Sequence, residues 1–451
     1  MKPNILFIVI DSLRADRIFG RQKIANSPNI DYLIKKGVYF SNAITTCQYT
    51  TQVMQSIFTS RFPVAVKTTK KLHTEMHSKT SPLLLLKNHG YKTNAIVQED
   101  QFIQGFTERF DNDDTSFKSE ENLYNGLAER ILKKLDSLVG PWFYYIHLED
   151  LHPPCRISEE LSHLTLSERY ERNLSEVDSL IGKILNKINL DETLIVITSD
   201  HGEYISPVQG ALEESMNAKV HIKNLIKKLI PKRTLEKIHY RKQSLIGATY
   251  ALKANTPHEK RILTAKKMTL NKSLFDDIVH VPLIFAGYNI NSMHSITQQI
   301  CNIDIFPTIL DLIEIPTTEL NIHGRSLVPL MNGKEFNSIP IYLTSFAIIK
   351  RLFLSIIVDE ELGPLVGIRT PNFKYFRNFQ DPKKDVHLYD LKNDPLEDNN
   401  IADKRSDIVK EMELNVEKIQ EDYLPLLNEE EEIDDKEIIR VQESLKKLGY
   451  I

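Results

Sequence analysis

Cysteine is scarce in this chain: three in 451 residues, Cys47, Cys155 and Cys301, with no Cys-x-x-Cys pair among them. That excludes a disulfide framework and a thiolate zinc knuckle, and it suits a reducing setting. Long apolar runs are also missing. The run near the N-terminus, residues 5–10 (ILFIVI), is too short for a signal-peptide core or a membrane span, and it ends in Asp11 with no small-residue cleavage site. No other stretch approaches the roughly twenty apolar residues that a span needs. Neither sign of charge dominates: 57 Lys and Arg against 61 Asp and Glu give a net charge of −4. With a pI near 6.4, an affinity of the whole protein for nucleic acid is not expected. No internal repeat is evident. These absences predict a soluble, cytoplasmic protein, compatible with peripheral membrane contact through a local basic segment.

What is present is a long run of alternating elements. Residues 4–10 form a continuous apolar stretch between polar residues, the pattern of a central parallel strand buried on both faces. Residues 142–148 (WFYYIHL), 194–198 (LIVIT) and 281–286 (VPLIFA) read the same way, and 91–97 is a further strand candidate. Between them lie amphipathic patterns: 29–36 (NIDYLIKK) closed by Gly37, 121–138 with Leu123, Leu127, Ile131 and Leu135 on one face, and 166–188. A helix start falls within 50–61, before Pro63. Strands alternating with helices predict a doubly wound, mostly parallel α/β sheet with helices on both faces. Ligand sites in such sheets lie at the carboxyl ends of the strands.

The strand ends carry the candidate chemistry. Asp11 follows the first strand; alone, such an Asp is more often a helix cap than a metal ligand. Asp200-His201-Gly202 follows a buried strand, and a carboxylate beside an imidazole is a common way to hold a divalent cation. His152, with Pro153-Pro154 holding its loop extended, could aim an imidazole at a bound oxyanion, and His280, just before the VPLIFA strand, has the same two readings: ligand contact or ordinary histidine.

Segment 219–272 differs from the rest. It holds fifteen Lys and Arg against two acids, Glu236 and Glu259, and reads as part of an insertion spanning about 207–272. Lys223, Lys227 and Lys228 alternate there with Ile222, Leu225, Ile226, Leu229 and Ile230, an amphipathic pattern suited to an anionic membrane surface or a partner groove, or simply to a solvated cover. The tail from about 341 has short strand-like and turn-like pieces, then a charged, helix-rich stretch, 406–448, interrupted near Pro425.

Together these segments resemble the sulfatase family of the alkaline phosphatase superfamily, nearly from end to end. PNILFIVIDSLRAD is similar to the family's opening strand and first metal ligand. FTSRFP looks like its T-G-R-Y-P, YYIHLEDLHPP like its H-x-x-D-x-H-x-P, and VITSDHGE is the most specific match. FDDIVHVPLIFAG, NIDIFPTILDL, VGIRTPNFKYFRN, HLYDLKNDPLEDNNIA and IRVQESLKKLGYI also look like family segments, in the family's order. The resemblance implies an alkaline-phosphatase-like catalytic domain over 1–340 and a small C-terminal α+β subdomain with a terminal helix over 341–451. It implies that Asp11, Asp200 and His201 bind one divalent metal (calcium, magnesium or manganese), with the nucleophile oxygen as a further ligand. It implies that His152 and His280 contact the substrate oxyanion or the leaving group.

The nucleophile departs from the family pattern. Sulfatases use C-x-P-x-R or S-x-P-x-R, whose first residue becomes formylglycine and lies nine positions before the Thr of T-G-R-Y-P. Thr59 is that Thr here, which places Thr50 at the nucleophile position, within Thr-Thr-Gln-Val-Met, lacking both Pro and Arg. Cys47 is the alternative, three residues out of register and equally without Pro or Arg. Threonine cannot become formylglycine, but it is the nucleophile of family relatives that move phosphoethanolamine or phosphoglycerol. Ser12 stands where many sulfatases carry another metal-binding Asp. The expected function is therefore a metal-dependent hydrolase or phosphotransferase acting through Thr50 on phosphoester or phosphodiester groups of an anionic small molecule, glycan or lipid headgroup. The alternatives are a sulfuric ester hydrolase and a catalytically inactive binding protein of the same fold.

Overall fold

The computed structural model describes residues 2–20, 23, 25–63, 81–99, 110–112, 114–118, 121–157, 161, 163–205, 254–264, 273–290, 294–335, 337–345 and 365–423. Most of the basic insertion, its Lys223 to Lys228 stretch included, and the last part of the charged tail lie outside them. No helix among the described residues is long and apolar enough to cross a membrane.

The first strand, β1 (Asn4–Ile10), sets the architecture. Its side chains alternate between two apolar layers. Ile5, Phe7 and Val9 enter one layer and Leu6, Ile8 and Ile10 the other, all essentially inaccessible. On the first face pack the helices Thr50–Thr59, Pro82–Asn88 and Ile305–Leu312; on the second pack Pro28–Lys36, Leu127–Ser137 and Leu166–Leu185. Phe7, Phe58, Phe143, Tyr145 and Phe306 form an aromatic knot in the first layer, with Phe58 and Phe306 4.8 Å apart.

The remaining strands are β2 (Val38–Ile44), β3 (Lys92–Gln98), β4 (Ser116–Phe117), β5 (Trp142–Leu148), β6 (Thr193–Thr198), β7 (His280–Gly287), β8 (His294–Ile296) and β9 (Ile300–Cys301). They hydrogen-bond in the order β4-β3-β5-β1-β6-β7-β2-β8, with β9 also on β2. β5 and β6 flank β1 in parallel, with Val9 opposite both His147 and Thr198. β7, which reads in sequence like the other buried strands, runs antiparallel to β6 and β2, so its first residue lies at the end where the parallel strands finish. β2 escapes sequence detection because Ser41-Asn42 interrupt its apolar run, at the point where its register against β7 shifts.

One helix is shorter than its spacing predicts. Leu123 shares the face of Leu127, Ile131 and Leu135, yet the helix begins at Leu127. Gly126, at φ +109°, breaks it, and Leu123 N donates to Asp150 Oδ1 instead (3.0 Å). The long helix Leu166–Leu185 starts with a Thr165/Glu168 capping box. Its Asp178 accepts from the backbone N–H of Asn29 and Ile30 (3.0 and 2.8 Å), supplying the N-terminal cap of Pro28–Lys36 from a neighbouring element.

A second, antiparallel sheet follows: β10 (Ile341–Thr344), β11 (Leu365–Arg369), β12 (Phe373–Asn378) and β13 (His387–Asp390), covered by the helix Ser406–Tyr423. It is tied to the first by buried charge. Asp276, in the short turn of helix before β7, receives a two-pronged bond from Arg369 (3.0 and 2.8 Å) and a further bond from Lys374 Nζ. Lys374 is fully buried and also pairs with Glu397 (2.8 Å). Its neighbour Asp277 faces the other way and pairs with Arg14 Nη1 (2.6 Å) in the loop after β1.

Removing one partner of such a network strands the others without compensation. Asp276→Asn should cost about 3–5 kcal/mol of stability, read as a lower denaturant midpoint. The sign with pH follows from the carboxyls. Burial works to raise the pKa of Asp276, but Arg369 and Lys374 outweigh it and hold it well below the usual range. Its contribution is thus complete above the unfolded carboxylate pKa of about 4 and is lost as pH falls towards the folded value. Wild-type stability should fall more steeply with acid than that of the variant.

Candidate active site

Four side chains predicted from sequence converge where β1 and β6 end. Asp11 continues β1, its N–H donating to Leu148 O (2.8 Å). Beyond it Ser12 adopts φ +62°, a left-handed conformation held by three bonds. Its N–H donates to Asp200 Oδ1 (3.2 Å), its hydroxyl to Asp11 Oδ1 (2.7 Å), and its carbonyl accepts from Tyr170 OH (2.9 Å). Ser12 thus orients the two carboxylates that flank it.

Asp200 and His201 leave β6 fully buried. Asp200 Oδ1 accepts from His201 N (2.8 Å), while Oδ2 is buried with no hydrogen-bond partner. His201 Nδ1 lies 2.9 Å from Gly202 O and donates to it, so Nε2 is the ring nitrogen that faces the cluster. The chain can turn there only because residue 202 is glycine: a Cβ at that position would fall 2.2 Å from Asp277 O. Thr50 opens the helix Thr50–Thr59, and the preceding Tyr49 makes no side-chain cap, leaving first-turn N–H groups for a ligand. Thr50 Oγ1 stands 3.5 Å from Asp11 Oδ2 and 3.4 Å from His201 Nε2, and His201 Nε2 is 3.5 Å from Asp200 Oδ2.

These spacings suit a shared cation. They are long for hydrogen bonds to a carboxylate, yet they match the edges of a tetrahedron whose centre binds each donor at about 2.1 Å. Asp11, Asp200 and His201 place their donor atoms within 4.8 Å of one another, the one such group among the described residues. The unpartnered Oδ2 of Asp200 is the orphan that an ion would satisfy. Burial opposes charging His201, but Asp200 and Asp11 outweigh it and raise its pKa to about 9. A metal must therefore displace a proton there, and its affinity rises with pH up to that value.

The other sequence candidates fare differently. His152 lies in the loop that follows β5, at the end of the sheet where Asp11 and Asp200 sit. Its loop is not extended as expected: His152 N donates to Glu149 O (3.0 Å) and Cys155 N to His152 O (2.8 Å), so the segment turns twice. His280 begins β7 at the right end of the sheet, but its Nε2 is engaged by Ser41 O (2.8 Å), and it forms no bond to Asp11, Thr50, Asp200 or His201. Cys47 is completely buried, and burial pushes its thiol up to about 12, which leaves no thiolate at neutral pH.

Sequence reading put His147 and Glu149 at a strand end, within YYIHLEDLHPP, but gave neither a role. His147 Nδ1 is 2.6 Å from Tyr145 OH, and its Nε2 lies 3.9 Å from Asp11 Oδ2 without a hydrogen-bond partner. Burial lowers its pKa to about 4, so the ring is neutral. Burial, with the charges of Asp11 and Asp200, raises the Glu149 carboxyl well above the usual range, and its Oε1 is also buried and unpartnered. The signal was there: a histidine inside an otherwise apolar and aromatic strand.

The chain is similar to known proteins in family and in fold. The sulfatase family model matches residues 3–315, and a model described as N-sulphoglucosamine sulphohydrolase, C-terminal, matches residues 267–422. Choline-sulfatase of Rhizobium meliloti is 25% identical over 240 residues, 52% of this chain and 32% of that protein. Human arylsulfatase K is 30% identical over 141 residues, 30% of this chain and 25% of that protein. The matches thus span a third or less of these relatives' length. The phosphonate monoester hydrolase of Agrobacterium radiobacter has the same fold, with a TM-score of 0.62 at 17% identity over 94% of this chain and 96% of that one. A structure solved with D-glucosamine-2-N,6-O-disulfate reaches 0.66 at 15% identity, over 94% and 98%.

Asp200→Asn should lose the metal, because the orphaned oxygen becomes an amide that repels a cation if its N–H₂ takes that position. Elemental analysis after gel filtration checks this. Full occupancy in the variant would show that the ion is held elsewhere. In the wild type, metal at a hundredfold excess over Kd should add about 2.7 kcal/mol of stability, and in the variant none.

Proposed function

The chain belongs to the sulfatase family, and from that premise we propose that it is a metal-dependent ester hydrolase or transferase acting on phosphoester or phosphodiester substrates through Thr50. The observation that carries the proposal is the position of Thr50 Oγ1, 3.4–3.5 Å from donor atoms of both His201 and Asp11 at an uncapped helix start. Asp11, Asp200 and His201 would hold the ion, with Thr50 Oγ1 completing the set. When bound, it lowers the pKa of the Thr50 hydroxyl and offsets charge on the group being transferred.

The chain's own residues do the rest. Thr50 Oγ1 attacks phosphorus, and the ester oxygen departs as an alcohol once it gains a proton. His152, in the loop after β5, would supply that proton. The first N–H groups of Thr50–Thr59 face the equatorial oxygens and stabilise their charge. Attack of water, or of an acceptor alcohol, on the phospho-threonine then frees the enzyme and returns Thr50 as a hydroxyl. The oriented carboxylates hold the nucleophile without rearrangement, which is how phosphoryl transfer is chiefly accelerated.

Sulfate esters are the second reading, favoured by the names of the curated relatives. The side chain argues against it. Formylglycine is an aldehyde made from a primary carbon, whereas Cβ of threonine carries a methyl and oxidation there would give a ketone. A sulfated threonine would also lack the hemiacetal route by which the aldehyde hydrate expels sulfate. An inactive binding protein would have no need to keep three buried donors and a hydroxyl in this arrangement. The substrate class remains an anionic ester on a small molecule, a glycan or a lipid headgroup.

The test compares an aryl phosphate, an aryl phosphodiester and an aryl sulfate on one metal-loaded preparation. A phosphorus ester should be turned over fastest. Thr50→Ala should lower turnover on the order of a thousandfold or more, Thr50→Ser should keep a measurable part, and Cys47→Ala should keep most. Fastest turnover of the sulfate, or an inactive Cys47→Ala variant, would sink the phosphoester reading in favour of the sulfatase one.

A further inference from the structure

The loop after β1 is shaped by side chains from elsewhere in the chain. Three successive backbone N–H groups donate to them: Ser12 N to Asp200 Oδ1 (3.2 Å), Leu13 N to Ser199 Oγ (2.9 Å) and Arg14 N to Tyr170 OH (3.1 Å). Leu13 N has in addition a longer turn bond to Ile10 O (3.3 Å). Asp200 belongs to the ion site. Ser199 and Tyr170 do not, yet their hydroxyls fix the same loop.

Tyr170, on the helix Leu166–Leu185, is buried in the second apolar layer, and burial raises its pKa, so the phenol keeps its proton and can both accept and donate. It accepts from Arg14 N and donates to Ser12 O (2.9 Å), bridging the two ends of the loop. Ser199, wholly inaccessible, accepts from Leu13 N and donates to His201 O (2.7 Å), with a longer contact to Asp200 Oδ1 (3.4 Å). One hydroxyl ties the loop to the helix behind it; the other ties it to the segment that carries Asp200 and His201. Both work against opposing forces. Ser12 is held at φ +62°, a conformation that residues with a Cβ resist, and Asp11 and Asp200 repel each other while no cation lies between them. Released, Ser12 would turn its N–H from Asp200 and its hydroxyl from Asp11 in one movement. A bound ion itself draws the carboxylates together, so the two hydroxyls matter most before it arrives.

We propose that Tyr170 and Ser199 are positioning residues for the ion site, setting its affinity by holding the loops that carry Asp11, Asp200 and His201 in register while the site is empty. Tyr170 acts through the backbone of Ser12, and Ser199 through Leu13 and His201. The proposal rests on the ion site of the proposed function, and its experiment separates the two.

The full chain is stripped with a chelator and titrated with manganese(II) in a calorimeter. Tyr170→Phe and Ser199→Ala, which each remove a single oxygen, should bind the ion about 10–100-fold more weakly than the wild type. A purely structural role would instead lower the denaturant midpoint of the metal-free chain and leave the affinity unchanged. In a Ser12→Gly background, where a positive φ carries no steric penalty, adding Tyr170→Phe should weaken binding little further. Wild-type affinity in one variant removes that hydroxyl from the assignment, and in both variants overturns it. The same loss from Tyr170→Phe with and without Ser12→Gly overturns the route through Ser12. A wild type that binds no manganese overturns the ion site itself.

Discussion

The structure depends on two carboxylates, Asp11 and Asp200, placed side by side at the ends of adjacent parallel strands and almost wholly removed from water. Burying a pair of like charges is unfavourable unless each is bonded or neutralised. Half of the requirement is met by the protein: Ser12, Ser199 and the backbone of His201 satisfy the Oδ1 atoms. The Oδ2 atoms are left facing the cluster, where a cation is the natural complement. The loop after β1 is unusual for the same reason, with a left-handed serine pinned from both sides and Tyr170 bonded to its carbonyl.

Support for that loop comes from far along the chain. Consecutive acids, Asp276 and Asp277, point in opposite directions and join two structures. Asp277 meets Arg14, which also grips Asp16 and reaches Glu203 O in the loop after β6. It also meets His258, on the helix Pro257–Thr264 that ends the described part of the insertion (3.1 Å). Asp276 meets Arg369 and Lys374 on the second sheet. The small C-terminal sheet is therefore mechanically continuous with the site, and its charged core is part of what holds β7 and Gly202 in place. These buried pairs fix which elements meet more than they add net stability, since desolvation offsets much of their attraction.

Much of this was legible in sequence because its causes are local. An apolar run bounded by polar residues is a central strand wherever it occurs, and β1, β5 and β6 lie where that pattern puts them. An Asp or Asp-His at the end of such a strand is committed to the ligand end of the sheet by topology alone. That is why Asp11, Asp200 and His201 could be named before any coordinate, whereas Thr50 was named only through the spacing that the family resemblance implies. β2 was missed because two polar residues at its register shift break the pattern, and Leu123 was misplaced because helical spacing does not reveal a glycine break.

The sequence by itself determined the sheet, its layers and the residue types available at its rim, since each follows from periodicity and burial within a few neighbouring residues. Only the tertiary structure decided which donors share a space. His147 differs from Asp11 by 136 positions in sequence, yet it is set opposite Val9 by a parallel register that no local pattern encodes. His280 has the same credentials as His152 in sequence, but its ring meets the carbonyl of Ser41 because β7 pairs with β2. Non-local strand pairing places these side chains, so their chemistry is a property of the fold rather than of any segment.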